Sequence, residues 1–115
     1  TSSGGFTWTE ATVATADATP TTLATIATSS ESVTTVSGII SGAQDTYADC
    51  CGGDYVGVFK NDGGVLTQVG STGGNVETTS TATFTFTTSG TNIILQVTGI
   101  AATYNWKASY RTITN

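Results

Sequence analysis

Threonine alternates with apolar residues along much of this chain, and this two-residue period is the feature that most restricts its fold. The alternation is clearest at residues 81–88, where Ala82, Phe84 and Phe86 lie between threonines. Successive side chains of a β-strand point to opposite faces of the sheet, and β-branched threonine suits a pleated surface. Because 27 of the 115 residues are threonine and runs of strong helix formers are absent, the sequence predicts an all-β protein.

Gly, Asn, Asp and Ser divide the chain into segments of strand length. Asn61-Asp-Gly-Gly64 predicts a hairpin turn, because these residues tolerate positive φ, and residues 71–75 predict another glycine turn. Residues 41–53 have no clear period, and Pro20 marks a bend or the entry to an edge strand. The pattern predicts an antiparallel, jelly-roll-like β-sandwich of about eight short strands, at residues 6–13, 23–28, 32–40, 55–60, 65–69, 76–88, 92–98 and 103–113.

A length of 115 residues fits one domain with one hydrophobic core. Residues 1–5, Thr-Ser-Ser-Gly-Gly, have the composition of a flexible linker. The predicted organisation is therefore a linker-like N-terminus at residues 1–5 and a single β-sandwich domain at residues 6–115. The chain begins with threonine and contains no methionine, so we interpret it as a processed chain or as the ordered part of a longer polypeptide.

The composition excludes several classes of function. The chain has no histidine, so it cannot build a histidine-based catalytic triad or a zinc site with histidine ligands. Its net charge of −5, from three basic and eight acidic residues, would repel a phosphate backbone, so nucleic acid is not an expected partner. No apolar run approaches the roughly 18 residues of a transmembrane helix and no signal peptide is recognisable, so membrane insertion is not expected.

Neither the hydroxyl nor the carboxyl side chains predict catalysis. A serine or threonine nucleophile needs an activating base, and this chain offers no histidine and no GxSxG motif. Asp45, Asp49, Asp54 and Asp62 lie within one third of the chain, but they lack EF-hand spacing, and aspartate is common in turns. We therefore predict no enzyme activity, no cofactor and no metal site.

Cys50 and Cys51 are the only cysteines, and they are adjacent. Their Cα atoms are about 3.8 Å apart across a trans peptide, below the usual disulfide range that starts at about 4.4 Å. A bridge between them would be strained. The leading interpretation is two buried thiols, and disulfides to neighbouring chains or a strained vicinal bridge are the alternatives.

The aromatic and basic residues divide into predicted core and predicted surface. Trp106 lies on the apolar face of the last predicted strand, so it is expected in the core. Lys107 and Arg111 project together from the opposite face of that strand. Trp8, near the N-terminus, and Tyr47, in the irregular stretch, are the candidates for contact with another subunit or with a surface ligand.

Three stretches of sequence carry a family resemblance: residues 15–26 (TADATPTTLATI), residues 64–70 (GVLTQVG) and residues 90–111. The last one contains QVTG, an alanine-rich segment and then a T-x-x-W-x-A sequence, and this ending is the most specific part. In order and spacing the stretches resemble a small β-domain at the C-termini of tail fibres, head fibres and related virion proteins of tailed phages. The resemblance spans about residues 15–113.

The resemblance implies an antiparallel β-sandwich that assembles on the particle surface, often as a trimer, without catalytic residues. The family pattern has more charge in its central strands than residues 37–53 of this chain, so the subunit contact or the exposed tip is expected to differ. The matching positions are structural residues, namely Pro20, Leu23, Val97, Gly99, Trp106 and Tyr110.

Low charge density favours an assembling protein independently, because sheet edges are normally protected by lysine, proline or bulges. The leading hypothesis is a bacteriophage structural protein, a fibre or capsid-decoration domain on the virion surface. Its expected partners are copies of itself in a homotrimer and other virion proteins, with binding to a host-surface glycan as an added role. It is expected to act by self-assembly.

Two alternatives stay open. The first is a secreted prokaryotic filament subunit, similar to a pilin, in which residues 6–13 would insert into the next subunit as a donated strand. The second is a carbohydrate-binding module, which requires an exposed aromatic platform, with Trp8, Tyr47 and Tyr104 as the candidates.

Overall fold

The computed structural model describes residues 8–77 and 82–115, and in these residues the chain is all β. The predicted linker at residues 1–5 lies outside the described residues, as do residues 6–7 and 78–81 of two predicted strands. No helix long and apolar enough to cross a lipid bilayer occurs in the described ranges. The strands are β1 (Thr9–Thr15), β2 (Thr21–Ala27), β3 (Ser32–Gln44), β4 (Cys50–Asp62), β5 (Val65–Glu77), β6 (Thr83–Ser89), β7 (Asn92–Thr98) and β8 (Tyr104–Thr114).

The strands form two antiparallel sheets that pack face to face. The larger sheet has the order β1-β8-β3-β4-β5, and the smaller one has the order β2-β7-β6. Strands β3, β4 and β5 are consecutive hairpins, and β8 returns after β6 and β7 to lie beside β3, which is the strand order of a Greek key. The predicted antiparallel β-sandwich of about eight strands is confirmed.

The turn predicted at residues 61–64 is confirmed as the connection between β4 and β5. Gly63 and Gly64 both have positive φ, which glycine adopts without steric strain. The Asn61 side chain accepts a hydrogen bond from the Gly64 amide at 3.0 Å, and the Glu31 carboxylate accepts one from the Gly63 amide at 2.7 Å. Local sequence therefore specifies this hairpin.

Two stretches that the sequence predicted as irregular or as a turn are strand. Residues 41–43 of β3 pair with residues 50–52 of β4, and residues 71–75 lie within β5, paired with residues 53–57 of β4. Glycine is a weak strand former, so the glycines in these stretches predicted turns. The prediction was wrong because hydrogen bonding to neighbouring strands overrides that local preference.

The core lies between the sheets and follows the predicted alternation. In β8, Tyr104 and Trp106 are buried whereas Asn105 and Lys107 are exposed. The largest fully buried side chains come from both sheets, namely Trp106, Tyr104, Phe59, Ile40, Ile93, Leu95, Val36 and Val97.

Trp106 also connects the last strand to the first. Its indole N–H donates a hydrogen bond to the Thr15 hydroxyl at 3.2 Å, inside the core. Gly99 is buried beside the same hydroxyl, and a Cβ there would overlap it. Gly99 and Trp106, two of the structural positions that carry the family resemblance, therefore both contact Thr15 at the end of β1.

The other motif residues lie in different parts of the sandwich. Leu23 and Val97 are buried on the smaller sheet, where β2 pairs with β7. Tyr110 is partly buried and packs against the core from β8. Pro20 is exposed and immediately precedes β2, where its missing N–H leaves no gap in the ladder.

Aromatic rings of the core lie directly over glycines of β3. The space for a Cβ at Gly38 is occupied by Tyr55, whose ring carbon Cζ lies 2.7 Å away, and by the carbonyl oxygen of Ser109. At Gly42 the corresponding distances to ring carbons of Trp106 and Tyr104 are 2.7–2.9 Å. Protein interiors are close-packed, so these rings occupy their positions only because both β3 residues lack a side chain.

We expect Gly38→Ala to lower the free energy of unfolding by about 1–3 kcal/mol, because the added methyl group overlaps a backbone oxygen and a buried ring. Gly70→Ala is the matched control, since Gly70 lies in the same sheet and nothing lies within 4 Å of its Cβ position. Urea unfolding of both variants beside the wild type measures the difference. Equal stability of the two variants would contradict this packing.

Candidate functional site

The larger sheet turns one face toward the smaller sheet and the other toward solvent, and we call the second one the outer face. Its positions follow from the register: odd-numbered residues of β3 and β8 and even-numbered residues of β1 and β4. On β5 the outer positions run from Val65, opposite Asp62, to Val76, opposite Gly52. This face includes all five strands of the larger sheet.

The outer face carries exposed apolar side chains. Val33, Ile39 and Ile113 are exposed, and Ile39 has 61% of its surface accessible. Half-buried Val58 lies opposite Thr35, which in turn lies opposite Ile113. Val33, Val58 and Ile113 therefore lie together around Thr35, whereas Ile39 lies farther along β3, between Asp54 and Ser109. Exposed apolar groups of this kind are typical of an interaction surface.

The sequence already indicated that one large apolar side chain of β3 faces solvent, although the prediction did not use this indication. Ile39 and Ile40 are adjacent in β3, and adjacent strand residues point to opposite faces, so one isoleucine had to lie outside the core. Ile40 is buried and Ile39 is exposed. The register of β3 against its two neighbours decides which one faces the core.

The charges of the outer face are balanced. All three basic residues of the chain, Lys60, Lys107 and Arg111, occupy outer positions, together with the acidic residues at 10, 54 and 62. Lys107 lies 3.7 Å from the Glu10 carboxylate, and both side chains are well exposed. Since the whole chain has eight acidic residues, its net charge of −5 arises away from this face.

The two predicted surface aromatics lie far apart. Trp8 lies near residue 111 of β8, since the Arg111 guanidinium carbon is 5.2 Å from the centroid of its ring. Tyr47 lies near the other end of β8, since it follows Gln44, which pairs with Tyr104. The interval from residue 104 to residue 111 spans about 23 Å along β8. Tyr104 itself is fully buried, so its predicted place in an exposed sugar-binding platform is wrong, because its position in β8 faces the core.

Tyr47 lies at the tip of the turn between β3 and β4, with 81% of its surface exposed. Its φ of 59° is in the left-handed region, which bulky residues rarely adopt. The Tyr47 amide donates to the Gln44 carbonyl at 2.8 Å, and the Gln44 amide donates to the Asp49 carbonyl at 2.9 Å. Asp45 accepts a hydrogen bond from the Asn105 side chain at 2.7 Å. These contacts agree with the interpretation of both aspartates as turn residues.

Acidic and thiol side chains do not converge in the ranges that the structure describes. In residues 8–77 and 82–115 no three His, Cys, Asp or Glu side chains are grouped as metal ligands. Cys50 is exposed and Cys51 is buried, since adjacent strand residues point to opposite faces. The expectation of two buried thiols is therefore wrong for Cys50, and a disulfide to a neighbouring chain stays a prediction.

One cavity, of about 190 Å³, opens between β5 and β6. This volume is below the roughly 300–1,000 Å³ of typical ligand pockets. Its lining combines aromatic rings with hydroxyl and backbone groups, from Tyr55, Ser71, Thr72, Gly73, Phe84, Thr85, Phe86 and Leu95. Because Tyr55 is the only titratable residue in this lining, the cavity offers no acid–base pair.

The Tyr55 phenol is enclosed by the core. Its ring makes edge contacts with Phe84 and Phe86, with centroids 6.1 and 5.4 Å apart. Its hydroxyl is buried without a hydrogen-bond partner among the described residues. Burial raises the pKa of this phenol well above its usual value, and the nearby Tyr110 phenol adds to the rise.

The raised pKa predicts a loss of stability at alkaline pH. The pKa of Tyr55 is higher in the folded chain than its value of about 10 in the unfolded chain. The part of the folding free energy that depends on a protonated phenol is therefore fully present below pH ~10 and is lost as the pH rises above it. We expect Tyr55→Phe to reduce that loss and to leave stability near neutral pH unchanged or higher by up to about 1 kcal/mol. Urea unfolding as a function of pH measures both effects.

Tyr47→Phe is the matched control, because Tyr47 is exposed. It should keep the alkaline dependence of the wild type. If Tyr55→Phe loses stability as steeply as the wild type does in alkaline solution, the buried phenol is not the cause.

Comparison with known proteins gives a weak structural similarity. No protein-family model matches the chain, and no curated protein matches it in sequence. The crystal structure of the Acinetobacter baumannii phage AM24 tailspike protein aligns with 91% of this chain, at 12% sequence identity and a TM-score of 0.43. The chain spans 26% of the length of that tailspike chain. The functional proposal for this chain therefore rests on its own surface and sequence.

Proposed function

We propose that this chain is a structural building block of a tailed-phage virion, a fibre or capsid-decoration domain that works by self-assembly through the outer face. The single observation that carries the proposal is the exposed apolar patch of Val33, Val58 and Ile113, with Ile39 exposed farther along β3, on a face with balanced charge. Monomeric proteins rarely leave large contiguous apolar patches exposed. A partner that covers this patch would remove it from water.

The charge distribution supports a second copy as that partner. Two chains of net charge −5 repel one another over most of their surface. On the outer face the three basic residues offset three acidic ones, so contact between two such faces avoids that repulsion. Exposed Lys107 and Glu10 can also form pairs across the contact, which would favour one orientation.

The sequence resemblance supports the virion as the setting. The stretches at residues 15–26, 64–70 and 90–111 resemble a domain that assembles on phage particles. In this proposal the partners are copies of the chain, in the trimer that the resemblance implies, and other virion proteins. Contact with a host-surface glycan through Trp8 or Tyr47, both exposed, would be an added role.

The two alternatives find less support in the geometry. The strand-donation hypothesis requires that the N-terminal strand leave its own chain, whereas β1 pairs with β8 of the same chain along its whole length. The carbohydrate-binding hypothesis requires converging exposed aromatic rings. Its candidates are Trp8 and Tyr47, which lie at opposite ends of the sheet, and Tyr104, which is buried.

We expect Ile39→Lys to weaken self-association about tenfold or more, because a charge replaces an apolar contact at the centre of the buried face. The control is Thr25→Lys, since Thr25 is exposed on the smaller sheet and the same charge is added there. Sedimentation velocity over a range of concentrations measures the change in oligomer size. Both variants should unfold at nearly the wild-type urea concentration, since both positions are exposed.

Two outcomes would contradict the proposal. One is a wild-type chain that remains a monomer at high concentration. The other is an equal effect of Ile39→Lys and Thr25→Lys on association, which would show that the outer face is not the contact. Electron microscopy of purified particles labelled with an antibody to this chain tests the virion setting separately.

A further inference from the structure

Strand β5 is a long edge strand of the larger sheet with few contacts to the core. Among residues 8–77 and 82–115 it lies at the edge of that sheet and pairs with β4. Val65, Val69 and Val76 are exposed by 65%, 63% and 76%, and the residues from Thr67 to Gly74 are exposed as well. Leu66 is the described β5 side chain that packs against the core. Strand β5 is therefore open to solvent on one edge and on most of both faces.

The cause is the unequal width of the two sheets. Five strands face three, so the smaller sheet leaves part of the larger one uncovered. The cavity between β5 and β6, lined by Ser71 and Thr72 on one side and by Phe84 on the other, marks where the sheets separate. A strand that packs against the core mainly through one side chain, Leu66, and pairs on one side alone gains little stability.

The free edge of β5 has one register irregularity but lacks the other usual protections against pairing, namely short length, charge and proline. From Val65 to Val76 the strand contains no charged residue and no proline, and the irregularity opposite Val58 and Phe59 is its single break in register. Natural edge strands are normally short, charged or interrupted by proline. The other edge strands, β1, β2 and β6, have seven residues each, whereas β5 has 13.

We infer that β5 pairs antiparallel with β5 of a second copy of this chain, joining two five-stranded sheets into one continuous ten-stranded sheet about a two-fold axis. The contact is isologous, so the strand must be complementary to itself. Residues 65–76 are uncharged, and Glu77 at the end of β5 would lie opposite Val65 of the other copy about an axis at Ser71. Pairing the strand with its own copy therefore places no like charges opposite one another. This inference rests on the proposed self-assembly and adds to the outer-face contact a second contact at the edge of the larger sheet.

The size of the edge fits a stable contact. A 13-residue strand extends about 44 Å at ~3.4 Å per residue, which matches the longest dimension of the molecule, 44 × 32 × 20 Å. Pairing along this edge would add backbone hydrogen bonds over the whole length of the strand. The exposed valines at positions 65, 69 and 76 would lie in or beside this contact.

The pairing also extends the outer face. Val65 and Val76 occupy outer positions of β5, so the outer faces of the two copies would form one surface with apolar groups on both sides of the axis. The pairing joins two copies about a two-fold axis. If each copy belongs to a trimer, the pairing would join a subunit of one trimer to a subunit of another trimer. It is thus a contact separate from the one centred on Ile39.

The test is Thr72→Lys in the full chain. Thr72 is exposed, occupies an outer position and lies beside the midpoint of β5, so the two introduced lysines would lie close together in the paired state. The like charges should raise the dissociation constant of the pair about tenfold or more. Thr12→Lys is the matched control, because Thr12 is an exposed outer-face threonine on the opposite edge strand of the same sheet.

Sedimentation velocity gives the dissociation constants, and circular dichroism with urea unfolding confirms that both variants fold. Hydrogen exchange provides a second measurement: the amides of β5 that point away from β4 should be protected in the wild-type oligomer and should exchange at least tenfold faster in the Thr72→Lys variant at the same concentration.

Each outcome decides a different point. A wild-type monomer at high concentration would overturn both the self-assembly and the β5 pairing. A wild-type oligomer that Thr72→Lys leaves intact, with β5 amides that exchange freely, would overturn the β5 pairing and leave self-assembly standing. Equal weakening by Thr12→Lys and Thr72→Lys would also overturn it, since a general charge effect would then explain the result.

Discussion

Aromatic rings that pack over glycines of the central strand β3 organise the core face of the larger sheet. Tyr55 lies over Gly38, and Trp106 lies over Gly42. The β3 strand therefore has no side chain at the two positions where β4 and β8 place large aromatic rings. The β3 strand pairs with both β4 and β8, and these rings therefore fix the middle of the larger sheet. The same packing determines which side chains of β3, β4 and β8 face solvent, and the properties of the outer face follow from it.

A second constraint is the difference in width between the sheets. The smaller sheet covers the middle of the larger one, where Trp106 and Phe59 are buried, but it leaves β5 with little contact. A chain of this length has enough apolar surface for one core. It does not have enough to cover a 13-residue edge strand as well, and in the proposed assembly contact with another copy would supply the missing cover. The unequal sheets thus connect the fold to the proposed self-assembly.

Much of the fold could be predicted from the sequence, because the two-residue period is a local property. The alternation at Phe84 and Phe86 predicted an inward face that the structure has, and Asn61-Asp-Gly-Gly64 predicted the turn between β4 and β5. The prediction was wrong at residues 41–44, 50–53 and 71–75, where strand pairing overrides the local preference of glycine. It was also wrong for Tyr104 as an exposed residue, since one strand face cannot place Trp106 in the core and Tyr104 at the surface.

The sequence by itself determined an all-β chain with few charges, no histidine and a core built on alternate residues, because these properties depend on composition and on the local period. Only the tertiary structure decided that Ile39 is exposed while Ile40 is buried, since strand register is set by neighbours far away in sequence. Only the tertiary structure brought Lys60 to the face that Lys107 and Arg111 share and left β5 at an edge. The order of strands in a sheet depends on contacts between distant segments, and no local pattern encodes it.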